Sequence, residues 1–191
     1  VSDSQRQDFT AIEQRLVREF EPALPAALAQ TTADDPLACC VIDAAPFYGD
    51  YALHLDARSN QLALLRGEQA QRLARRGWTR STEPHAWKES AALAAIDGLA
   101  PFSSEVADYA MPFVHEVKVS LHAFTHSHEF EALGAEGTVW LEGHAISMLF
   151  RVWDRLVDGG VFAGVACTVP AIVGFTLGEG RATVCRLLLG E

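Results

Sequence analysis

Cysteine is sparse in this sequence: Cys39, Cys40, Cys167 and Cys185 are the only four in 191 residues, and no two stand in a Cys-x-x-Cys spacing. This argues against a disulfide scaffold and against the common zinc-ribbon and dithiol redox motifs. All four lie in apolar, strand-like surroundings, where free cysteine packs as a small hydrophobe, so reduced and buried thiols are expected. Positive charge is also scarce: 15 Lys and Arg against 25 Asp and Glu leave a net charge of −10. Nonspecific attraction to nucleic acid or to anionic lipid is thereby disfavoured, and no nucleic-acid reader motif is present. There is no Gly-x-Ser-x-Gly elbow, Walker loop or dinucleotide-binding glycine pattern. Residues 1–20 lack the basic start and unbroken apolar centre of a secretory signal, which leads to the expectation of a cytoplasmic protein. The one long uncharged run, Val161 to Gly178, is interrupted by Gly164, Pro170 and Gly174 and suits two buried strands better than a membrane helix. No internal repeat, low-complexity tract or linker divides the chain, so residues 1–191 are expected to form a single domain.

What is present is the material for a substantial core: 49% of residues are hydrophobic and 21% charged. Residues 4–20 place Phe9, Ile12, Leu16, Val17 and Phe20 on one helical stripe, which Pro22 and Pro25 are expected to interrupt, with a short second helix to Gln30. Leu37 to Ala44 and Tyr51 to Asp56 flank Pro46-Phe47-Tyr48-Gly49-Asp50 and read as a β-hairpin. Helical spacing returns from Asn60 to Gly77 and again over 86–99, where Trp87 is an anchor. From about His144 to Asp158, Ile146, Leu149, Val152, Trp153, Leu156 and Val157 face one way while Arg151, Asp154, Arg155 and Asp158 face the other. Gly159 is expected to supply the left-handed stop. Strands are expected over 161–168, 171–177 and 182–189, the last two joined by Gly178-Glu179-Gly180-Arg181 as an antiparallel hairpin.

Residues 113–124 carry two competing periodicities. Val117, Val119, Leu121 and Ala123 alternate with polar residues as a strand would, yet Val106, Ala110, Phe113, Val117, Leu121 and Phe124 also follow a helical stripe. The helical reading is adopted here. On that helix His115, His122, His126 and Glu129 would share a face, and histidines four apart with a carboxylate one turn on could hold a catalytic metal. That face lies opposite the apolar one, however, and Val119 stands where a zincin motif needs its second histidine. In a strand, His115 and His122 would face opposite ways and the stripe would dissolve.

Arg66, Arg72, Arg75, Arg76 and Arg80, with Trp78 among them, form the one basic concentration; the reading preferred is a solvated helix end whose arginines complement the helix dipole. Neighbouring acids such as Asp34 with Asp35, or Glu129 with Glu131, are close in sequence without being a catalytic pair. Of the aromatic residues, Tyr48 at the hairpin turn and Trp140 are expected to be exposed and so available to an interface. No residue is assigned as catalytic, cofactor-binding or metal-ligating.

Taken in order, the N-terminal helix, the strand–Tyr48-Gly49–strand unit, Trp78, Trp87-Lys88, and Phe150-Arg151-Val152-Trp153-Asp154-Arg155-Leu156-Val157-Asp158-Gly159-Gly160-Val161-Phe162 resemble an uncharacterised bacterial domain family. That family is similar to immunity proteins of the SUKH type, the Smi/Knr-like domains. The resemblance implies an α+β binding domain without catalysis, whose relatives neutralise a toxin or act as protein-interaction modules. Residues 102–143 have no counterpart in it, the histidines depart from it, and it transfers no site residue. The expectation is therefore an α+β domain, helices packed on an antiparallel or mixed sheet, acting as a noncatalytic protein-binding module with a protein partner, no cofactor, and no nucleic-acid or membrane partner. The alternative is a small metal-dependent enzyme using the His/Glu cluster.

Overall fold

The computed structural model describes residues 3–75, 111–119, 125, 127–177 and 183–188. Its elements are α1 (Asp3–Leu28), β1 (Leu37–Ala45), β2 (Asp50–Ala57), α2 (Arg58–Arg75), β3 (Met111–Lys118), α3 (His128–Leu133), α4 (Ala135–Asp158), β4 (Cys167–Leu177) and β5 (Thr183–Leu188). The strands form a mixed sheet in the order β3-β2-β1-β4-β5. Only the β1–β4 pair is parallel; the β1–β2 hairpin, β2–β3 and β4–β5 are antiparallel. The protein is α+β, and no helix among the described residues is long and apolar enough to cross a membrane.

One sheet face carries the main core. Leu16, Phe20 and Leu24 of α1, and Met148, Leu149, Val152 and Trp153 of α4, are fully buried on it against Cys40, Ile42, Leu53, Leu55, Val173 and Phe175. Strands β1 and β2 are buried along nearly their whole length, as central strands covered on both faces must be. On the second face Cys39, Val41 and Ile172 pack with Leu64 of α2.

The helix expected over 113–124 is corrected where the residues are described: Met111–Lys118 is a strand, and 120–124 lie outside the described residues. Its pairing with β2 puts Val117 opposite Tyr51 and His115 opposite Leu53, so the alternating pattern prevails because β2 offers a ladder that a helix would leave unmade. Helix α1 runs through Pro22 and Pro25 where a break was expected. Both prolines are exposed, as are Arg18 and Glu21, the residues whose carbonyls lose a helical donor, while Leu24, Ala27 and Leu28 hold the last turns to the core. Residues 161–164 are turn, and the two strands expected over 161–168 and 171–177 are replaced by the single strand β4. Pro170 is tolerated there because the β1–β4 register jumps from Leu37↔Cys167 to Cys39↔Ile172, a bulge in which no partner needs its missing N–H.

Helix α4 starts at Ala135, well before His144. It ends in a Schellman motif whose left-handed residue is Gly160, with φ 78°, and not Gly159, which is right-handed helical. Gly160 N–H donates to the Val157 carbonyl at 3.0 Å and Val161 N–H to that of Leu156 at 3.3 Å. None of the four cysteines forms a disulfide; Cys39 and Cys40 are buried, but Cys167 and Cys185 are only partly so. Burial pushes the Cys40 thiol well above its usual range, which leaves it a packing residue. The expected helix over 86–99, Trp78, Trp87, Arg76, Arg80 and the 178–181 turn lie outside the described residues.

Tyr51 is fully buried in the main core, and among the described residues its hydroxyl meets no hydrogen-bond partner. Burial accordingly holds its ionisation above the ordinary phenol value. A buried hydroxyl that makes no bond carries a desolvation cost without return, so Tyr51→Phe is expected to leave stability unchanged or raise it by up to about 1 kcal/mol. Urea denaturation checks this; a loss above about 1 kcal/mol would mean that the hydroxyl is bonded.

Candidate functional site

An apolar depression built by three separate elements lies at the tip of the β1–β2 hairpin. Between Ala45 and Asp50 the chain makes a single tight turn in which the N–H groups of Tyr48 and Gly49 both donate to the Ala45 carbonyl at 3.0 Å. Gly49 closes it at φ 74°, a conformation that costs a residue bearing Cβ about 1–2 kcal/mol. The turn is braced from outside: Val119 N–H donates to the Gly49 carbonyl at 2.8 Å, and the Thr125 hydroxyl donates to that of Phe47 at 3.1 Å. Phe47 packs edge-on against Tyr48 at 5.3 Å and, tilted, against Phe130 of α3 at 6.2 Å.

The second wall is the corner between α3 and α4. Ser127 caps α3 by accepting from Phe130 N–H at 3.2 Å, and Gly134, at φ 54° and ψ −131°, turns the chain into α4. A Cβ on Gly137 would stand 3.0 Å from Leu133 Cβ and 3.3 Å from the Phe130 carbonyl, so glycine there lets the two helices touch. The first turns of α4 then bring Thr138, Leu141 and Glu142 against Pro46, Phe47 and Tyr48, and Leu177 at the end of β4 completes a cavity of about 160 Å³. Tyr48 in its wall is 66% exposed; Val139, next in sequence to the lining residue Thr138, is 69% exposed, and Leu133 of α3 43%, three of the five large apolar side chains that the described surface leaves open.

A second polar cluster lies on the sheet face shared with α2. Asp56 is fully buried and accepts from Gln61 Nε2 at 2.5 Å, from Asn60 Nδ2 at 3.0 and 3.1 Å, and from Ala57 N–H at 3.0 Å. This carboxylate ties the end of β2 to the start of α2 and has its lone pairs occupied, a structural arrangement. The Thr176 hydroxyl donates to Asp43 on the same face. His54 is buried beside them; burial lowers its pKa from the ordinary 6.5, and the Asp43 carboxylate pulls it partway back. A histidine held below its unfolded value stays neutral in the fold while the unfolded chain takes up the proton. Its contribution to stability is therefore full above the ordinary pKa of 6.5 and is lost as pH falls from there towards the folded value. Thermal denaturation between about pH 7 and about pH 5.5 should show a smaller acid loss in His54→Gln than in the unsubstituted protein; equal slopes would contradict it.

The histidine stripe is not assembled in the described residues. His115 lies on β3 towards α1, with Nε2 3.5 Å from Glu19 and its ring edge-on to Phe20 at 6.1 Å. Glu19 in turn accepts from Arg15 at 2.7 Å, and that bond, with a smaller share from His115, holds its carboxyl below the usual range. His122 and His126 lie outside the described residues, and Glu129 is placed on α3. Among the described residues no three His, Cys, Asp or Glu side chains stand together as metal ligands. Tyr48 is exposed as expected, whereas Trp140 is half-buried against Phe9 at 5.7 Å and His144 at 4.4 Å. Sequence reasoning passed over Thr138, Leu141, Glu142 and Leu177, since their meeting with the hairpin turn depends on tertiary placement. The signal that could have raised Glu142 is the stretch Val119 to Phe150, which has four glutamates and no Lys or Arg.

These features define a mixed-sheet α+β protein with an apolar depression at one end of the sheet. No family model matches the chain, no curated protein matches it, and no solved structure matches it.

Proposed function

We propose that the protein is a noncatalytic protein-binding module of immunity type, and that it engages its partner at the hairpin tip. The observation that carries this reading is the apolar depression flanked by exposed Tyr48 and Val139 and fixed on braced elements. Interface centres favour a rigid aromatic beside a pocket, because such a residue buries much area while losing few rotamers. A large apolar side chain left as open as Tyr48 beside an apolar depression is otherwise a solubility liability. The resemblance of the Phe150–Phe162 stretch to SUKH-type immunity proteins supports the same class.

The test is a complex re-formed from purified components. A protein retained by the intact chain should bind it with defined stoichiometry, and Tyr48→Ala and Val139→Glu should each weaken that complex by at least about tenfold while leaving the melting temperature unchanged. A complex indifferent to both substitutions, or failure to find one, would contradict the proposal.

A further inference from the structure

Resting on the binding reading, one side-chain arrangement specifies the chemistry of the partner. Glu142 lines the apolar depression, is exposed, and has no ion-pair partner among the described residues. Glu136, in the first turn of the same helix, is likewise exposed and unpaired there. This differs from the far end of α4, where Arg151 and Arg155 meet Glu13 and Arg186 meets Asp154. The run from Val119 to Phe150 contains no Lys or Arg to neutralise the four glutamates in it, within a chain whose net charge is −10. The depression thus combines apolar walls from Pro46 and Leu141, an exposed phenol ring from Tyr48 and a carboxylate with no ion-pair partner among the described residues.

We infer that this site receives an arginine or lysine side chain from a basic segment of a partner protein. The aliphatic stem would lie along Pro46 and Leu141 and the cation would meet Glu142 and the face of Tyr48. Long cationic side chains bury their methylenes against apolar surface while their charge stays at the edge, and a cation over an aromatic ring gains about 0.5–2 kcal/mol according to its desolvation. An acidic surface also speeds encounter with a basic one and repels acidic competitors. A purely apolar occupant would leave the Glu142 carboxylate beside it without a counter-charge as water is excluded.

The test pans a random peptide library against the intact chain alone, and measures the enriched peptides on the intact and substituted chains by fluorescence anisotropy. Enriched peptides should carry Arg or Lys next to an apolar residue. Their binding should weaken as salt is raised, about threefold on Glu142→Gln, and at least about tenfold on Glu142→Lys and on Tyr48→Ala, with circular dichroism unchanged. Peptides that lack basic residues yet depend on Tyr48 would overturn this inference while leaving the binding reading standing. Basic peptides indifferent to Glu142→Lys, or no enrichment at all, would also overturn it.

Discussion

Trp153→Ala is expected to destabilise the protein by about 3–5 kcal/mol, enough to unfold much of a marginally stable population. Trp153 is fully buried where α4 crosses the sheet, and its indole Nε1–H donates to the Gly174 carbonyl of β4 at 2.7 Å. Gly174 stands where the β4–β5 register shifts, so this bond pins the helix to an irregular point of the ladder. Truncation would remove the largest fully buried side chain among the described residues and take the indole donor from the Gly174 carbonyl. Trp153→Phe separates the two effects: it keeps most of the ring area and loses the donor, and should cost about 1–3 kcal/mol. Chemical denaturation of both variants checks the order; a Trp153→Phe protein as stable as the parent would remove the hydrogen bond from the account.

The α1–α4 seam should respond asymmetrically to removal of its charges. Glu13 is nearly fully buried, and accepts from Arg151 Nε at 2.7 Å, with an Arg155 terminal nitrogen 3.1 Å from its other oxygen. The two arginine side chains are about half exposed, at 50% and 52%. Removing both in Arg151→Met/Arg155→Met would strand a carboxylate in the seam and is expected to cost about 3–5 kcal/mol. Glu13→Gln leaves two guanidinium groups that can turn to water, and should cost about 1 kcal/mol. Equal costs measured by urea denaturation would show that Glu13 reaches water on its own.

Local pattern carried much of the fold. The apolar stripe of α4, the turn chemistry of Pro46 to Gly49 and the doubly apolar β1 all state their partners' direction in a few residues, because each buries a face of fixed period. The departures share one cause. Met111–Lys118 satisfies a helical stripe and a strand alternation together, and only the open ladder of β2 decides between them. Pro22, Pro25 and Pro170 were read as breaks, yet each sits where its missing donor has no buried acceptor to disappoint, which is a property of exposure and register. Gly159 and Gly160 are adjacent candidates for the same cap, and spacing alone does not choose between them.

The candidate site was half legible. Tyr48 announces itself, being a large aromatic in a turn that cannot bury it. Glu142 and Leu177 do not, since one is an ordinary helix glutamate and the other an ordinary strand leucine until β4 is laid beside β1. The metal hypothesis drew on the same histidine-rich region and lost its helical premise over 111–118 for the reason already given.

Hydrogen exchange on the intact chain, alone and in complex with a protein recovered as the proposed partner, tests the central claim most directly. The account predicts slowed amide exchange at Tyr48 and Gly49 and along the first turns of α4 around Thr138 and Glu142, with the Arg151 to Asp158 end unchanged. Protection confined to that far end, or to the β5 edge around Leu187, with none at the hairpin tip, would contradict it.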